Sequence, residues 1–323
     1  MARKLEVAIV GDIPKAYLIV AFARPGQTIE LVDFLLSRNQ KVYLFVDRPK
    51  STSIPNEMIR KHFLAYTEYP NFIAKYASEP YGAQRGVEAG LEWIFQREEL
   101  VVILEDDAVI SDNSLIYFDQ MTGLISDKVV IVSSRRIIDD SNLTECSSHS
   151  HVSRFALTNG WMTTKRFWIE HYNRPKTFSG LLFNKIQSEN TLMNWAVRCF
   201  FLTGVARFEL RLGNVGWDQK VVYTLLRDNL LSFVPNRTTV GNMGVDETAS
   251  NTKPKEKNDA FLYRADLLQP NLNYSNDSNC QPIVNKAFIA LYGISYKHLL
   301  SPIKLLFDLI FKKNLYSCFQ KSS

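Results

Sequence analysis

The sequence predicts an α/β protein with a mostly parallel central sheet flanked by helices and a helical extension at its C-terminal end. Strand-like and helix-like patterns alternate from residue 17 to residue 107 at the spacing of βαβ units. The runs YLIVAFA, KVYLFV and VVIL are apolar throughout, as strands buried on both faces are. Charged residues collect where these runs end, and open α/β sheets bind ligands at the carboxyl ends of their strands.

Taken in order, residues 5–10 (LEVAIV) read as a leading edge strand. Tyr17–Ala23 is a fully apolar strand that stops at Arg24-Pro25-Gly26, and Ile29, Val32, Leu35 and Leu36 then share one helical face. Lys41–Val46 is the next strand and ends at Asp47-Arg48-Pro49. A helix follows from Ile54 to about Tyr66, then a strand over Asn71–Tyr76. Gly82–Gln96 is an amphipathic helix with Val87, Leu91, Ile94 and Phe95 aligned. In Val101–Asp107 an apolar run leads straight into Glu105, Asp106 and Asp107.

Beyond that turn, residues 112–126 read as a helix started by Ser111-Asp112, and Val129–Ser133 as a strand. Residues 134–152 are polar and read as a loop, in which His149 and His151 fit exposed bystanders better than ligands. A helix is expected from about Thr164 to Tyr172, while residues 173–195 follow no single pattern. GNVGWD opens an amphipathic helix carrying Val221, Val222, Leu225 and Leu226, and Leu231–Val234 is a short strand before a glycine-rich segment. From Lys253 to Gln281 the chain is polar and loop-like. In the tail, Ala287–Phe319, Ser301-Pro302 starts a helix whose apolar face is Ile303, Leu306, Phe307, Ile310 and Phe311, with Lys304, Lys312 and Lys313 beside it. Two readings of this tail stand: packing onto the domain, or lying on a membrane surface.

The 323 residues are enough for one large domain or two small ones, and 46% hydrophobic with 22% charged is ordinary for a globular chain. The net charge of +5 is too mild to argue for nucleic acid, and no basic-aromatic repeat supports it. It suits an anionic nucleotide or an anionic lipid surface equally well. Cys146, Cys199, Cys280 and Cys318 form no CxxC pair, which argues against a zinc site or a disulfide scaffold and fits a reducing compartment. MARKLEVAIVGD lacks the pattern of a signal peptide, and no apolar run reaches the ~18–20 residues of a spanning helix. The expected location is the cytoplasm, either free or peripheral on the inner face of the membrane.

Three adjacent carboxylates repel one another, and a divalent metal bridging phosphate oxygens would hold them together. The alternative is an acidic loop that caps the following helix. Arg24 and Asp47 are either the walls of a nucleotide pocket built from strand ends or solvated turn residues. No GxGxxG follows the first strand and no GxxxxGK[ST] occurs, so dinucleotide and P-loop readings are weak. Asp218 is by default a helix N-cap, and Trp161 and Trp217 are either sugar-stacking surfaces or core.

The order of the motifs adds to this. A strand ending in Arg24, a strand ending in Asp47, YGAQRGVEAGLEWIF, VVILEDD, NGWMTTKRFW, GWDQKVVYTLLRDN and VPNRTTVGNMG together resemble the GT-A-fold glycosyltransferases similar to N-acetylglucosaminyltransferase I and related bacterial nucleotide-diphospho-sugar transferases. The resemblance covers roughly residues 17–250 and implies a Rossmann-like GT-A domain over residues 1–252. Its nucleotide-sugar half spans about 1–135 and its acceptor half about 136–252, with 253–323 a polar linker and basic apolar tail. It implies inverting transfer from a UDP-sugar, UDP-GlcNAc among them, with Mn²⁺ or Mg²⁺ on the diphosphate. Asp107 then corresponds to the metal ligand, Glu105 and Asp106 to contacts with ribose and sugar, and Arg24 and Asp47 to contacts with the uracil base. Arg85 falls among the donor contacts and Asp218 corresponds to the catalytic base. The implied acceptor is a hydroxyl of a glycan or lipid-linked molecule, in surface polysaccharide or lipopolysaccharide synthesis, with residues 287–319 near the membrane. Where relatives carry a histidine, this chain has GVDETASNT, leaving Asp246 or Glu247 to substitute. A sugar-1-phosphate nucleotidylyltransferase is a second reading, for which GDIPKAY is a poor phosphate loop. A non-catalytic scaffold is a third, and such a protein need not keep both the acidic triplet and Asp218.

Overall fold

The apolar runs of the first half become adjacent parallel strands. In the computed structural model, which describes residues 15–137, 150–173, 191–210, 216–243, 274–275, 280–307 and 309, these are β1 (Lys15–Ala21), β2 (Val42–Val46), β3 (Phe72–Tyr76) and β4 (Leu100–Glu105). Their order in space is β3-β2-β1-β4, all parallel, with Leu18 opposite Tyr43 on one side and Ile103 on the other. The expected strand at residues 5–10, His149, Asp246, Glu247 and the tail beyond 309 lie outside the described residues.

Helices α1 (Pro25–Ser37), α2 (Ile54–His62) and α3 (Ala83–Ile94) connect these strands, as the sequence predicts. Proline at the start of α1 and α2 fixes the first turn without losing a bonded N–H. The expected continuation of α2 to Tyr66 tightens into a 3-10 turn, Phe63–Glu68, where Phe63 and Tyr66 pack on Phe72. After β4 come β5 (Ala108–Val109), α4 (Asp112–Met121) and β6 (Val129–Ser133).

The second half widens the same sheet with short strands. They are β7 (Ser150–Ser153), β8 (Trp161–Thr164), β9 (Leu231–Val234) and β11 (Tyr274–Ser275), and β10 (Gly241–Asn242) pairs separately with β5. The full order is β11-β7-β9-β6-β8-β4-β1-β2-β3, with parallel pairings outnumbering antiparallel ones. Strand β8 enters antiparallel between β4 and β6, setting buried Met162 opposite both Val102 and Val132. This corrects the expectation of a loop over 134–152: residues 150–152 belong to β7, and His151 is buried there rather than exposed.

A short helical stretch over Lys165–Tyr172 matches the expected helix there, and the longer helices of the second half are α5 (Thr191–Glu209), α6 (Trp217–Arg227) and α7 (Cys280–Leu291). The sequence pattern does not single out α5, because TLMNWAVRCFFLTGVARFE is apolar on most sides and has no clear stripe. Ala196, Val197, Phe201 and Val205 are buried against Val222 and Leu226 of α6 and Val284 and Phe288 of α7. Each fully buried valine, leucine or phenylalanine side chain of this set contributes roughly 1.5–3 kcal/mol. The tail therefore divides. Its α7 part packs, with Phe288 stacked on Phe155 at 5.0 Å, whereas Leu300, Ile303, Leu306 and Phe307 are exposed. Among the described residues no helix is long and apolar enough to cross a membrane.

Candidate functional site

The chain leaves β1 toward β2 on one side, while β4 lies on the other, so the carboxyl ends of β1 and β4 form a switch point where a crevice opens. A cavity of about 300 Å³ lies there, lined by Val20, Arg24, Asp47, Gly86, Glu105 and Asp106 among others. The sequence-predicted strand ends do meet.

Arg24 caps α1 and turns its guanidinium toward the acidic triplet. Its Nη1 donates to Oδ1 of Asp106 at 2.7 Å and lies 3.3 Å from Oδ2 of Asp107. Oδ2 of Asp106 accepts the N–H of Phe22 at 2.9 Å, and the Asp106 N–H donates to the Val20 carbonyl. Asp106 thus ties the end of β4 to the end of β1. Asp107 is held from the other side: its Oδ1 accepts from Asn242 Nδ2 at 3.1 Å and its carbonyl from the Met243 N–H at 2.8 Å. The β10–β5 pairing thus folds residues 241–243 back onto the triplet.

That fold-back has its own support. The Thr239 N–H donates to the Ser134 carbonyl, and Ser114 Oγ donates to the Thr239 carbonyl at 2.6 Å. Gly160, at φ +71°, lies beneath Val240, where a Cβ would come within 2.7 Å of a Val240 methyl.

Asp47 is buried at the end of β2 and lines the crevice, but its oxygens serve the chain. Oδ1 accepts the N–H of Arg48 (2.8 Å) and of Tyr81 (3.0 Å), and Oδ2 accepts that of Gly82 (2.7 Å), at the start of α3. Asn56 was not anticipated. Its Nδ2 donates to the carbonyls of Phe22 and Asp47, bracing the β1 and β2 ends together.

Glu105 carries the crowding of the site. Burial, then the neighbouring charges of Asp107, Asp106 and Asp218, push its carboxyl up to about 8, against the opposing pull of Arg24. Asp218 stands in the first turn of α6 rather than at its N-cap, which is Gly216, and burial raises its pKa while the backbone N–H groups of Gln219 and Asp218 itself hold it back. Its charge is felt by Glu105, as it is by Tyr172 and Tyr292.

Arg85 is turned elsewhere. Its guanidinium donates to Glu88 and to the Phe208 carbonyl, both at 3.1 Å, and lies over the Phe208 ring. There it joins a cluster that sequence reasoning missed. Lys220 Nζ lies 2.7 Å from Glu88 and 3.1 Å from Glu209, over the ring of Tyr172, whose hydroxyl also donates to Glu88. The signal was present: Lys220 follows Trp217 by three residues on the apolar face of α6. Trp161 and Trp217 are buried and stack on each other at 5.5 Å, the packing alternative rather than open sugar platforms.

Among the described residues no three acidic, histidine or cysteine side chains are grouped to hold a metal. Asp106 nonetheless lines the crevice, and Asp107 follows it with one oxygen on Asn242 and the other 3.3 Å from Arg24. A hard cation such as Mg²⁺ binds through one or two carboxylates with its other ligands from phosphate and water, and the residues present fit that mode.

No family model matches the chain, and no curated protein does. Among solved structures it is similar to the mannosyltransferase PcManGT from Pyrobaculum calidifontis in complex with GDP-Man and Mn²⁺, at 15% identity over 67% of this chain and 69% of that one, with a TM-score of 0.39. It is also similar to a protein assigned as a glucose-1-phosphate thymidylyltransferase from Bacillus anthracis, in complex with sucrose (9% identity, 51% and 77% covered, TM-score 0.34). A third is S. aureus TarS 1-349 (10% identity, 48% of each chain, TM-score 0.33). Each likeness is partial, and the α/β architecture stands on this chain's own strand order and pairings.

Proposed function

We propose that the chain is a metal-dependent, inverting glycosyltransferase of the GT-A type. It would move a sugar from a UDP-sugar, UDP-GlcNAc being one candidate, to a hydroxyl of a glycan or lipid-linked acceptor. The observation that carries this reading is the meeting of Arg24 with the acidic triplet at the switch point of a parallel sheet, where Glu105 also feels the charge of Asp218.

In this reading Asp107 is the metal ligand, and Glu105 and Asp106 face the ribose and sugar. A bound Mn²⁺ or Mg²⁺ supplies neutralisation of the leaving diphosphate. Asp47 defines the base end by fixing the backbone of Tyr81 and Gly82, whereas Arg24, paired with Asp106 and Asp107, is assigned to the diphosphate end rather than to the base. A second cavity of about 680 Å³, which shares Phe22 and Gly82 with the crevice, gives that end its room. Arg85, committed to Glu88 and Phe208, has no donor contact in this account. The acceptor oxygen attacks the anomeric carbon as its proton passes to Asp218. The bond from that carbon to the diphosphate oxygen breaks, and its electron pair leaves with the diphosphate. A carboxylate whose pKa is raised by burial is a better base for this step. Exposed Leu300, Ile303, Leu306 and Phe307, with Lys297 and Lys304, suit contact with an anionic membrane carrying a lipid-linked acceptor.

The test is thermal stability against a nucleotide panel with and without Mn²⁺. A ligand at ~100 times its Kd stabilises by about 2.7 kcal/mol, a readable shift. A UDP shift that needs Mn²⁺ is the expected result. Stabilisation by nucleoside triphosphates and sugar phosphates instead of UDP would favour a nucleotidylyltransferase, and no shift with any nucleotide would end the donor-pocket reading.

A further inference from the structure

The carboxylates that a metal would use already meet a cation of the chain. Arg24 Nη1 lies 2.7 Å from Asp106 and 3.3 Å from Asp107, and its side chain is mostly buried. The second oxygen of Asp107 accepts from the Asn242 amide and the second oxygen of Asp106 from the Phe22 N–H. All four oxygens of the pair are thus engaged from within. A metal ion arriving at Asp107 would meet a like-charged guanidinium at contact distance, and such repulsion is strong where solvent is partly excluded.

We propose that Arg24 is the resident counter-cation of Asp106 and Asp107, and that it must release Asp107 before a divalent metal binds there. Metal binding then depends on an anionic ligand that takes over the guanidinium. This rests on the reading of the donor as a nucleoside diphosphate. A diphosphate offers oxygens that match the planar donors of arginine. It also supplies the metal ligands that the described residues do not group by themselves. Metal and nucleotide therefore bind with positive coupling, and the coupling is reciprocal by thermodynamic necessity. Arg24 acts on the metal through Asp107, as a positioning residue.

The experiment is Mn²⁺ titration of the full chain, read from the EPR signal of free Mn²⁺, with and without UDP. For the unaltered protein, Mn²⁺ alone should bind weakly and UDP should tighten it by about tenfold or more, within the usual range of such couplings. R24M should bind Mn²⁺ alone about five- to tenfold more tightly and lose most of the UDP enhancement, because the competing charge is gone. R24K, which keeps the charge, should retain the original pattern. Circular dichroism and melting confirm that the variants fold, and R24Q carries the same test if R24M does not. If the unaltered protein responds to UDP while R24M binds Mn²⁺ alone no more tightly, the counter-cation role is overturned and the transferase reading survives. Absence of Mn²⁺ binding even with UDP would overturn both.

Discussion

Two clusters of buried charge adjoin helices α3 and α6, and their balance differs. On one side Glu88 and Glu209 meet Lys220 and Arg85, carboxylates and cations in equal number, with Tyr172 donating to Glu88 as well. On the other, Glu105 feels the charges of Asp107, Asp106 and Asp218, and Arg24 pairs with Asp106 and Asp107. The first cluster satisfies itself and clamps α6 to α3. The second is left short of positive charge, as its effect on Glu105 registers. Charge balanced by its own neighbours is explained by structure, while a surplus of carboxylates among the described residues suits an added cation.

Substitutions should separate the two clusters. The largest effect is expected in the balanced one. K220M removes the ammonium from Glu88, which keeps Arg85 and Tyr172 as partners, and should cost about 1.5–3 kcal/mol of stability in denaturant unfolding. A loss under about 1 kcal/mol would show that the clamp is not structural. Next, D218N should preserve UDP-dependent stabilisation but lower turnover by ~10²-fold or more. In the unaltered protein, the acid limb of kcat/KM should lie above the ordinary aspartate range, because burial raises the pKa of Asp218. A limb at an unperturbed value would remove Asp218 as the base.

Smaller effects follow from Glu105. Its folded pKa of about 8 exceeds the ordinary 4.5, so the native state retains a proton that the unfolded chain has lost between these values. Stability should therefore fall as pH rises through that window, by up to about 1.4 kcal/mol per pH unit, in chelator-treated protein. E105Q should flatten the fall, and melting curves across the window would show it; an unchanged slope would mean that the crowding is relieved elsewhere. The smallest expected effect lies in the tail. Removing residues 301–323 should leave the melting temperature nearly unchanged and weaken sedimentation with anionic liposomes, and equal liposome binding would refute the membrane contact.

Much of the fold was legible because its first half is built from elements with strong periodicity. The runs that became β1, β2 and β4 are buried on both faces, and α3 has a clean apolar stripe. The second half was less legible for physical reasons. Strands β7 and β8 are four residues each, too short for alternation to register, and α5 is apolar nearly all round. At the site, residue types at strand ends announced the crevice, but their partners did not. Asp47 reads as a ligand contact, yet its oxygens anchor Tyr81 and Gly82, more than thirty positions away. Arg85 shares a helix with the crevice-lining Gly86 but faces the opposite cluster, since adjacent helix positions point in different directions. Lys220 was the missed clue, a buried charge on an apolar face that pairs with Glu88 and Glu209.

Gly160 shows how far the influence of the site extends. It touches none of the carboxylates, yet a single added methyl would press on Val240 and on Ser134 Oγ, loosening the segment that brings Asn242 and Met243 to Asp107. In a library of random variants, position 160 would therefore register among the intolerant ones, indistinguishable by phenotype from a ligand-contacting residue. A map of mutational tolerance for this protein should be expected to mark not only the groups that do chemistry but the empty spaces that let them meet.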